Sequence, residues 1–431
     1  MFRAKYRWAA CALAVSCVAS AWADGLPRAQ PHAVGFSAER LDHIDRFYAD
    51  KVNRGEMAGI VILIARHGKI AHFSAIGYAN LEKRQKMQTD TIFRLYSMTK
   101  PIAATALMML FEEGRFQLND PLSKYIPEFA NLRVLRTPDS ALDDTVPLIR
   151  APTVQDALRH TAGFAYGVGT STIEEQYKKV NVLSLDITLA EMMSKLGTMP
   201  LLYQPGTTFS YSVAADVQAR LVEILSGRPF DEFLEQRLFK PLGMRDAGFS
   251  SPADRARRLS VLYWIKDGKP APLDDVHEHP QDLDPRRVDG YTVNHPRKGG
   301  TFGLVSTAED YWRFAQMMLN GGEFNGSRIL SPQTVRYMTL DHLGSINPQM
   351  SINGMNGLGF GLGFAVIKDP VAVGALSSEG SFLWAGAAAT WFWVDPKEDL
   401  VVVALTQHLH APWLVSFLDE LRALVYSSLI E

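Results

Sequence analysis

The first clear pattern along the chain is an amphipathic helix. Ser37 is a suitable N-cap residue, and Leu41, Ile44 and Phe47 follow at helical spacing, which predicts a helix from Ser37 to about Asn53. Similar spacing or capping-box residues predict further helices that begin at about residues 153, 188, 214, 230, 307, 331 and 413.

Runs rich in Val and Ile predict strands near both ends of the chain. Residues 59–70 and 71–78 have the pattern of a hairpin, with His67-Gly68 as a pair that can turn the chain. After residue 300, strands are predicted over 359–367, 387–394 and 400–406. The expected fold class is therefore α/β (α+β): an antiparallel sheet made by the two ends, flanked by helices, with a mostly helical inserted region.

This order of elements also suggests domain boundaries. Residues 24–100 and 301–431 are assigned to the sheet domain, and residues 101–300 to the mostly helical domain. Residues 251–300 are polar and rich in proline, so we expect an irregular excursion there, which in a compact domain is often a lid or pocket wall. Within it, His277-Glu278-His279 lacks the helical spacing of a zinc-binding motif and is interpreted as a loop, not a metal site.

Composition and charge narrow the classes of function. The chain has 431 residues, of which 47% are hydrophobic, and a formal charge of -2. The hydrophobic content is too high for a disordered chain. The balanced charge shows no excess of basic residues that would indicate binding of nucleic acid. The two cysteines, Cys11 and Cys17, cannot form a disulfide framework or a four-thiolate zinc site, and no metal or cofactor is expected.

Residues 1–23 have the pattern of a secretory signal peptide. Three basic residues precede the apolar stretch 8–20, and Ala21-Trp22-Ala23 is a cleavage-site pattern, so cleavage is predicted after Ala23. The apolar stretch is far shorter than the roughly 20 residues that span a bilayer, so no stable membrane insertion is expected. A lipoprotein signal ending at Cys17 matches less well. We expect an exported protein, periplasmic or secreted, without a thiol after cleavage; its oligomeric state stays open.

Ser97 and Lys100 are the first candidate catalytic pair. A serine and a lysine three residues apart at a helix start lie one turn from each other, so the amine can reach the hydroxyl. Pro101 suits a first helical turn, and the apolar run 102–111 predicts a buried helix, in which a lysine can lose its proton and act as a base. About one such pair is expected by chance in this chain, so a solvated lysine at a helix start is the plain alternative.

Two further segments carry candidate chemistry. Tyr211 lies just before a predicted helix, where a neighbouring ammonium would favour its phenolate and make it a general base. The alternative is a half-buried structural tyrosine. Trp384-Ala385-Gly386 precedes the strand predicted at 387–394, where small residues would let a ligand approach the backbone and the Ala387 N–H could donate to an oxyanion. A plain strand entry is the alternative there.

In this order and spacing, the three segments resemble the serine β-lactamase and penicillin-binding-protein superfamily. They resemble more closely its family VIII carboxylesterases, which are similar to class C β-lactamases. The S-x-x-K motif is Ser97 to Lys100, the Y-x-N position is Tyr211 to Val213, and Trp384 to Gly386 have the W-x-G form of those esterases. Residues 158–163, 241–244 and 303–307 are also family-like. The resemblance extends from about residue 35 to 428 and implies a β-lactamase-like fold.

The resemblance also implies a role for each residue. Ser97 would be the nucleophile, Lys100 its activator, and Tyr211 the base or proton shuttle. The backbone N–H groups of Ser97 and Ala387 would form the oxyanion hole. The substrate-binding positions would be Val213, Trp384, Ala385 and Gly386.

Two departures from the family pattern bear on the substrate. Val213 replaces the asparagine that contacts the acylamino group of a β-lactam, and Trp384 replaces the lysine that pairs with a substrate carboxylate. Losing that charge disfavours anionic substrates, whereas an indole favours apolar, neutral groups. We therefore predict a serine carboxylesterase acting on small-molecule esters, with short, neutral acyl groups and weak or absent β-lactamase activity.

Other interpretations of the same residues stay open. They are an acyltransferase with an acceptor other than water, a D,D-peptidase or penicillin-binding protein, and a penicillin-recognising module without turnover. The chain has no G-x-S-x-G, so it lacks the nucleophile elbow of the α/β-hydrolases. His160, His408 and His410 are accordingly expected to be structural or near the pocket.

Overall fold

The computed structural model describes residues 26–251, 253–273, 291–346, 356–409, 411 and 413–431. The predicted signal peptide, His277-Glu278-His279 and His410 lie outside these residues.

Strands come mainly from the two ends of the chain. They are β1 (Gly59–Arg66), β2 (Lys69–Asn80), β3 (Gln85–Lys86), β4 (Phe93–Arg94), β5 (Val134–Leu135), β6 (Thr145–Val146), β7 (Tyr263–Lys266), β8 (Lys269–Pro272), β9 (Val305–Ser306), β10 (Glu323–Phe324), β11 (Ser327–Arg328), β12 (Leu358–Phe360), β13 (Ala365–Ile367), β14 (Phe382–Gly386), β15 (Thr390–Asp395), β16 (Leu400–Leu405) and β17 (His408–Leu409).

Helices occupy the middle and flank the sheet. They are α1 (Ala38–Asn53), α2 (Thr99–Glu112), α3 (Val154–Leu158), α4 (Thr172–Lys179), α5 (Leu189–Gly197), α6 (Ala214–Ser226), α7 (Phe230–Leu234), α8 (Lys240–Leu242), α9 (Ala253–Ala256), α10 (Ala308–Leu319), α11 (Pro332–Met338), α12 (Pro370–Val373) and α13 (Leu414–Ser427). A π-helical turn, Glu235–Phe239, joins α7 to α8.

The main sheet joins the two ends of the chain. Its strand order is β12-β13-β14-β15-β16-β1-β2-β3, and every neighbouring pair is antiparallel. The ends meet where β1 pairs with β16, with Val61 opposite Leu405 and Arg66 opposite Leu400. The predicted fold class, an antiparallel sheet flanked by helices, is therefore confirmed.

The core lies on both sides of the central strands. Every residue of β1, β15 and β16 is buried, and neighbouring strand residues face opposite sides, so both faces of the sheet are covered. Helix α10 packs on β1, β15 and β16, while α1 packs on β2 and α13. Each fully buried Val, Leu or Ile side chain contributes about 1.5–3 kcal/mol, so this region anchors the fold.

The helix starts predicted from capping residues are confirmed. The Ser37 side chain accepts the Arg40 N–H, and both predicted capping boxes, at Thr153 and Thr188, form in full. Thr307 and Ser331 also cap the helices that follow them.

Three predicted segments differ from the structure. Residues 359–367 form a hairpin of β12 and β13 that reverses at 361–364, where Gly363 has a φ of 91°. The strand predicted at 387–394 begins only at Thr390, because residues 387–389 form a tight turn after β14. Residues 263–272 form the hairpin of β7 and β8, and β7 pairs in parallel with β17, so that part of the predicted irregular excursion is regular.

The domain boundaries at residues 100 and 301 stay a prediction. Strands β5 to β8 fall within the range assigned to the mostly helical domain. Within the described ranges, no helix has the length and apolar character needed to cross a membrane. The same ranges contain no group of three or more His, Cys, Asp or Glu side chains arranged to hold a metal ion.

Candidate active site

The segment that carries Ser97 is held against the end of the sheet. Ser97 lies in a 3₁₀ turn, Tyr96–Met98, that leads directly into α2. Just before it, the Leu95 N–H donates to Leu304 O at 2.9 Å. Thr390 Oγ1 donates to Leu95 O at 3.3 Å, which ties the segment to the first residue of β15. Ser97 itself is only half-buried, so its hydroxyl is open to a substrate.

Two backbone features depend on this close packing. Tyr96, directly before the serine, has a φ of 48°, a left-handed conformation that costs a non-glycine residue roughly 1 kcal/mol or more. Strand β14 passes so near that a Cβ at Gly386 would lie 2.2 Å from Leu95 O. Gly386 is therefore required by the approach of two protein segments, whereas the sequence pattern predicts the approach of a ligand there.

Lys100 and Ser97 meet as the S-x-x-K spacing predicts. Lys100 Nζ lies 3.0 Å from Ser97 Oγ and donates a hydrogen bond to Thr301 O at 2.8 Å. The lysine is almost fully buried in the first turn of α2, whose residues from Thr99 to Leu110 are all buried.

Burial sets the charge state of this lysine. Desolvation holds the pKa of Lys100 well below its ordinary range, and the negative charge of Asp216 opposes this effect. This shift favours the neutral amine, the form that can accept the Ser97 proton while it still donates to Thr301 O.

Tyr211 completes the cluster from the loop before α6, the helix that packs on α2. Its hydroxyl is hydrogen-bonded to Ser97 and accepts a hydrogen bond from Trp384 Nε1 at 3.3 Å. Lys100 Nζ lies over the face of the Tyr211 ring, 4.5 Å from its centre. The three candidate catalytic residues predicted from sequence are therefore adjacent in the structure.

The expectation of a phenolate at Tyr211 is wrong for this arrangement. Burial, and to a smaller extent the neighbouring Tyr166, raise the pKa of Tyr211 well above its ordinary range, although the hydrogen bonds of Ser97 and Trp384 act in the opposite direction. Lys100, the expected ammonium, itself favours the neutral form. Burial therefore favours the uncharged form of both the Lys100 amine and the Tyr211 phenol.

The other predicted site residues lie at different depths. Trp384 is buried in β14 with its indole 5.4 Å from the Tyr211 ring, and Ala385 beside it is half-buried. Ala387 is exposed in the turn that follows β14. Val213 has no exposed surface and belongs to the main core, so its contact with a substrate stays a prediction.

Aromatic rings surround Tyr211. Tyr166 stacks on Tyr211 with a centroid distance of 5.5 Å, and His160 lies 4.9 Å from the same ring. Phe360 contacts both His160 and Trp384 at 5.6 and 5.3 Å. This set gives the site an apolar wall, which favours neutral groups on a ligand.

His160 is structural and lies near Tyr211, which agrees with the expectation from sequence. Its Nδ1 accepts the Ser212 N–H at 3.3 Å, which fixes the loop that carries Tyr211. Burial, together with the charge of Lys100, holds the pKa of His160 well below its ordinary range, so the ring stays neutral.

His408 is also buried, on β17, where its ring packs against Tyr263 and Trp413. Its Nε2 accepts the Ala58 N–H at 2.8 Å, and burial lowers its pKa to about 3. His160 and His408 therefore act in packing and hydrogen bonding, and neither contacts Ser97 in the described structure.

Several site residues were not found from sequence. Tyr166 is placed by Glu174, whose carboxylate accepts the backbone N–H groups of residues 166–169. Asp216 Oδ1 lies 3.4 Å from the Thr301 N, next to the carbonyl that Lys100 uses, and 3.9 Å from Arg297 Nη1. Only the family-like stretch 158–163 could have directed attention to Tyr166, and no sequence pattern links Asp216 to Thr301.

A large cavity lies apart from this cluster. It has a volume of about 740 Å³, and its walls include Asp246, Asp310, Arg313 and Phe324. None of the candidate catalytic residues lines it. Its size therefore says nothing about the reaction at Ser97.

Comparison with known proteins agrees with this geometry. The family model described as Beta-lactamase matches residues 44–427. An uncharacterized protein of Mycobacterium tuberculosis is 36% identical over 82% of this chain and 86% of its own length. Esterase EstB of Burkholderia gladioli is 29% identical over 87% of this chain and 93% of its own length.

A solved structure is similar over nearly the whole fold. It is EstCE1, described as a hydrolase with promiscuous acyltransferase activity, with a TM-score of 0.76 and 28% sequence identity. The match covers 90% of this chain and 98% of EstCE1. With a family match across most of the chain and a serine, lysine and tyrosine in one cluster, this protein belongs to the beta-lactamase family and is a serine hydrolase of the β-lactamase and penicillin-binding-protein superfamily.

Proposed function

We propose that this protein is a carboxylesterase of the family VIII type that hydrolyses small, neutral esters with short acyl groups. The observation that carries the proposal is the buried Lys100 amine, 3.0 Å from Ser97 Oγ, with Tyr211 bonded to the same serine. The relationship to esterase EstB and the likeness to the hydrolase EstCE1 support the same reaction class.

In the first half of the reaction, Ser97 Oγ attacks the ester carbonyl carbon and its proton passes to the neutral Lys100 amine. The carbonyl oxygen becomes an oxyanion, for which the N–H groups of Ser97 and Ala387 are the proposed donors. When the C–O bond to the alcohol breaks, the leaving oxygen takes a proton from Lys100. The Tyr211 hydroxyl is bonded to Ser97 and can relay this proton.

In the second half, water attacks the acyl-enzyme. The water gives a proton to the Lys100 and Tyr211 pair as its oxygen bonds the acyl carbon. The bond between that carbon and Ser97 Oγ then breaks, the carboxylic acid is released, and Ser97 Oγ takes the proton back from the pair. Catalysis by a positioned acid and base typically contributes about 10²- to 10⁴-fold in rate.

The surroundings of Tyr211 support a neutral substrate. At the position where the superfamily pattern has a lysine, this chain places Trp384, and the indole N–H already donates to Tyr211 Oη. A substrate carboxylate would find no charge-assisted partner at this position, whereas the aromatic wall suits alkyl and aryl groups. We infer that β-lactams and D,D-peptides, which carry that carboxylate, are poor substrates.

The test is hydrolysis of p-nitrophenyl butyrate by wild type and Ser97→Ala. We expect the variant to fall to the uncatalysed background. A matched control is Ser194→Ala, an exposed serine on α5, which should retain full activity. If Ser97→Ala hydrolysed the ester at the wild-type rate, the proposal would be wrong. The chromogenic β-lactam nitrocefin, tested in parallel, should react far more slowly than the ester.

Acyl transfer to an alcohol is a second candidate, favoured by the acyltransferase activity described for EstCE1. The same acyl-enzyme serves both reactions, so the ester is supplied with and without a primary alcohol and the products are identified by mass. Formation of the new ester by wild type but not by Ser97→Ala supports transfer. Intact-mass measurement also separates turnover from a penicillin-recognising module, which would retain one stable acyl group on Ser97.

A further inference from the structure

One buried side chain, Thr406, bonds the turn that carries Ala387. Thr406 follows β16 and is completely buried. Its hydroxyl oxygen lies 2.9 Å from Ala388 O and 3.1 Å from Ala389 O, so a single proton is shared between two neighbouring carbonyl groups. The His408 N–H adds a further hydrogen bond to Ala388 O at 3.1 Å.

This turn needs such support because its backbone is strained. Ala389 has a φ of 57°, in the left-handed region that non-glycine residues rarely adopt. Such a conformation costs roughly 1 kcal/mol or more and persists only where surrounding contacts fix it. Ala388 and Ala389 are buried, whereas Ala387 is exposed at the open side.

Gln407, the residue next to Thr406, bonds the strand that leads to Ser97. Gln407 is buried, and its side chain accepts the Arg94 N–H at 3.1 Å and donates to Arg94 O at 3.1 Å. Arg94 ends β4, three residues before Ser97. Two consecutive side chains therefore bond the turn of Ala387 and the strand that leads to Ser97.

We propose that Thr406 is a positioning residue for the reaction: its hydroxyl fixes the turn 387–389 and, with Gln407, sets the spacing between the two N–H groups of the oxyanion hole. This inference rests on the proposed function, since it concerns acyl transfer at Ser97. Thr406 touches neither substrate nor reacting atoms and acts only through the backbone of the turn.

The expected effect is on the transition state. An oxyanion exists only after attack, so a displaced Ala387 N–H weakens binding of the transition state more than binding of the ester. Removing an oxyanion donor outright lowers kcat by about 10²- to 10³-fold, so loosening one is expected to lower kcat about 10-fold.

The experiment compares Thr406→Val, which keeps the shape and removes the hydroxyl, with Thr406→Ser, which keeps the hydroxyl. On p-nitrophenyl butyrate, Thr406→Val should lose about 10-fold in kcat with little change in KM, and Thr406→Ser should stay near wild type. Inhibition by phenylboronic acid, whose tetrahedral adduct places an oxygen in the oxyanion hole, should weaken in proportion to kcat. The pH dependence of kcat/KM should not move, because the contacts of Lys100 are unchanged.

The matched control is Thr105→Val, on α2, where the buried hydroxyl has no hydrogen-bond partner among the described residues. It should leave kcat and boronate inhibition unchanged. If Thr406→Val does not fold, Thr406→Ala is compared with Thr406→Ser, since both lack the methyl group and differ in the hydroxyl.

Three results would overturn the inference. They are a kcat within twofold of wild type in a folded Thr406→Val, an equal loss in Thr406→Ser, and a loss of kcat without weaker boronate inhibition. Ser97→Ala is measured alongside. An active Ser97→Ala contradicts the proposed function itself, whereas an inactive Ser97→Ala with a fully active Thr406→Val contradicts only the role of Thr406.

Discussion

Asp156, a buried carboxylate in α3, provides the sharpest test of the electrostatics that stabilise the fold. Its carboxylate has no exposed surface and forms a two-pronged ion pair with Arg150 at 2.5 and 2.9 Å. It also accepts from Arg159 at 3.0 Å, from the Thr153 N–H at 2.9 Å and from the Thr161 hydroxyl at 2.9 Å. The perturbation is Asp156→Asn, which removes the charge and keeps the shape.

The magnitude follows from the proton affinity of this carboxyl group. Burial alone would raise the pKa of Asp156, but Arg150, the Thr153 N–H and Arg159 together lower it from 3.8 to about 2. Each tenfold change in proton affinity corresponds to about 1.4 kcal/mol, so the charged form stabilises the fold by about 2 kcal/mol.

The sign of the pH dependence follows from the same values. Because the folded pKa is depressed, the unfolded state binds more protons as the pH falls. The stabilisation is therefore complete above the unfolded pKa near 3.8 and is lost as the pH falls through about 2. We expect Asp156→Asn to lower the free energy of unfolding by about 2 kcal/mol at pH 7 and by about half of that at pH 3.

The assay is urea unfolding followed by tryptophan fluorescence at both pH values. The control is Asp139→Asn, at an exposed aspartate, which should change stability little at either pH. Equal stability of Asp156→Asn and wild type at pH 7 would refute this reasoning, as would a difference that stays constant down to pH 3.

Four further outcomes are expected. Lys100→Met should lose about 10²- to 10⁴-fold in kcat/KM on p-nitrophenyl butyrate, and Lys83→Met, at an exposed lysine, should keep full activity as the control. In the same account, kcat/KM of the wild type should fall as the pH is lowered through the depressed pKa of Lys100, because the amine is then protonated. A kcat/KM that stays constant on the acid side would contradict this. Tyr211→Phe should lower kcat far more than it raises KM, and a selective rise in KM would argue against proton relay. Trp384→Phe removes one hydrogen bond to Tyr211 Oη and should cost about 3- to 10-fold in kcat, less than Tyr211→Phe. Protein exported from a bacterial host should begin at Asp24 by N-terminal sequencing, and an intact residue 1 in the exported fraction would contradict the predicted signal peptide.

The local parts of the fold could be predicted because short-range physics determines them. The capping boxes at Thr153 and Thr188 satisfy helix N–H groups within four residues, so the sequence contains the whole interaction. The Ser97 and Lys100 pair is likewise fixed by one helical turn.

The turn at residues 387–389 could not be predicted for the opposite reason. Three alanines carry no turn signal, whereas in the structure Ala389 has a left-handed conformation and Thr406, 17 residues later, bonds the carbonyl groups of Ala388 and Ala389. The same holds for the Lys100 bond to Thr301 O, which joins residues 201 positions apart.

The charge of Tyr211 was mistaken because the sequence shows neighbours but not burial. A nearby lysine predicts a phenolate only if that lysine is charged, and in this structure desolvation disfavours both charged forms. The proposed roles of Lys100 as base and Tyr211 as a neutral relay rest on the burial of both side chains, which only the folded structure reveals.

The central claim is that Ser97 is the nucleophile, and covalent trapping tests it most directly. Wild type and Ser97→Ala are incubated with a p-nitrophenyl alkylphosphonate, and intact mass and peptide mapping locate the adduct. We predict one phosphonyl group on Ser97 in wild type, with activity lost in step, and no adduct in Ser97→Ala. An adduct on another residue, or labelling of Ser97→Ala to the same extent, would contradict the account.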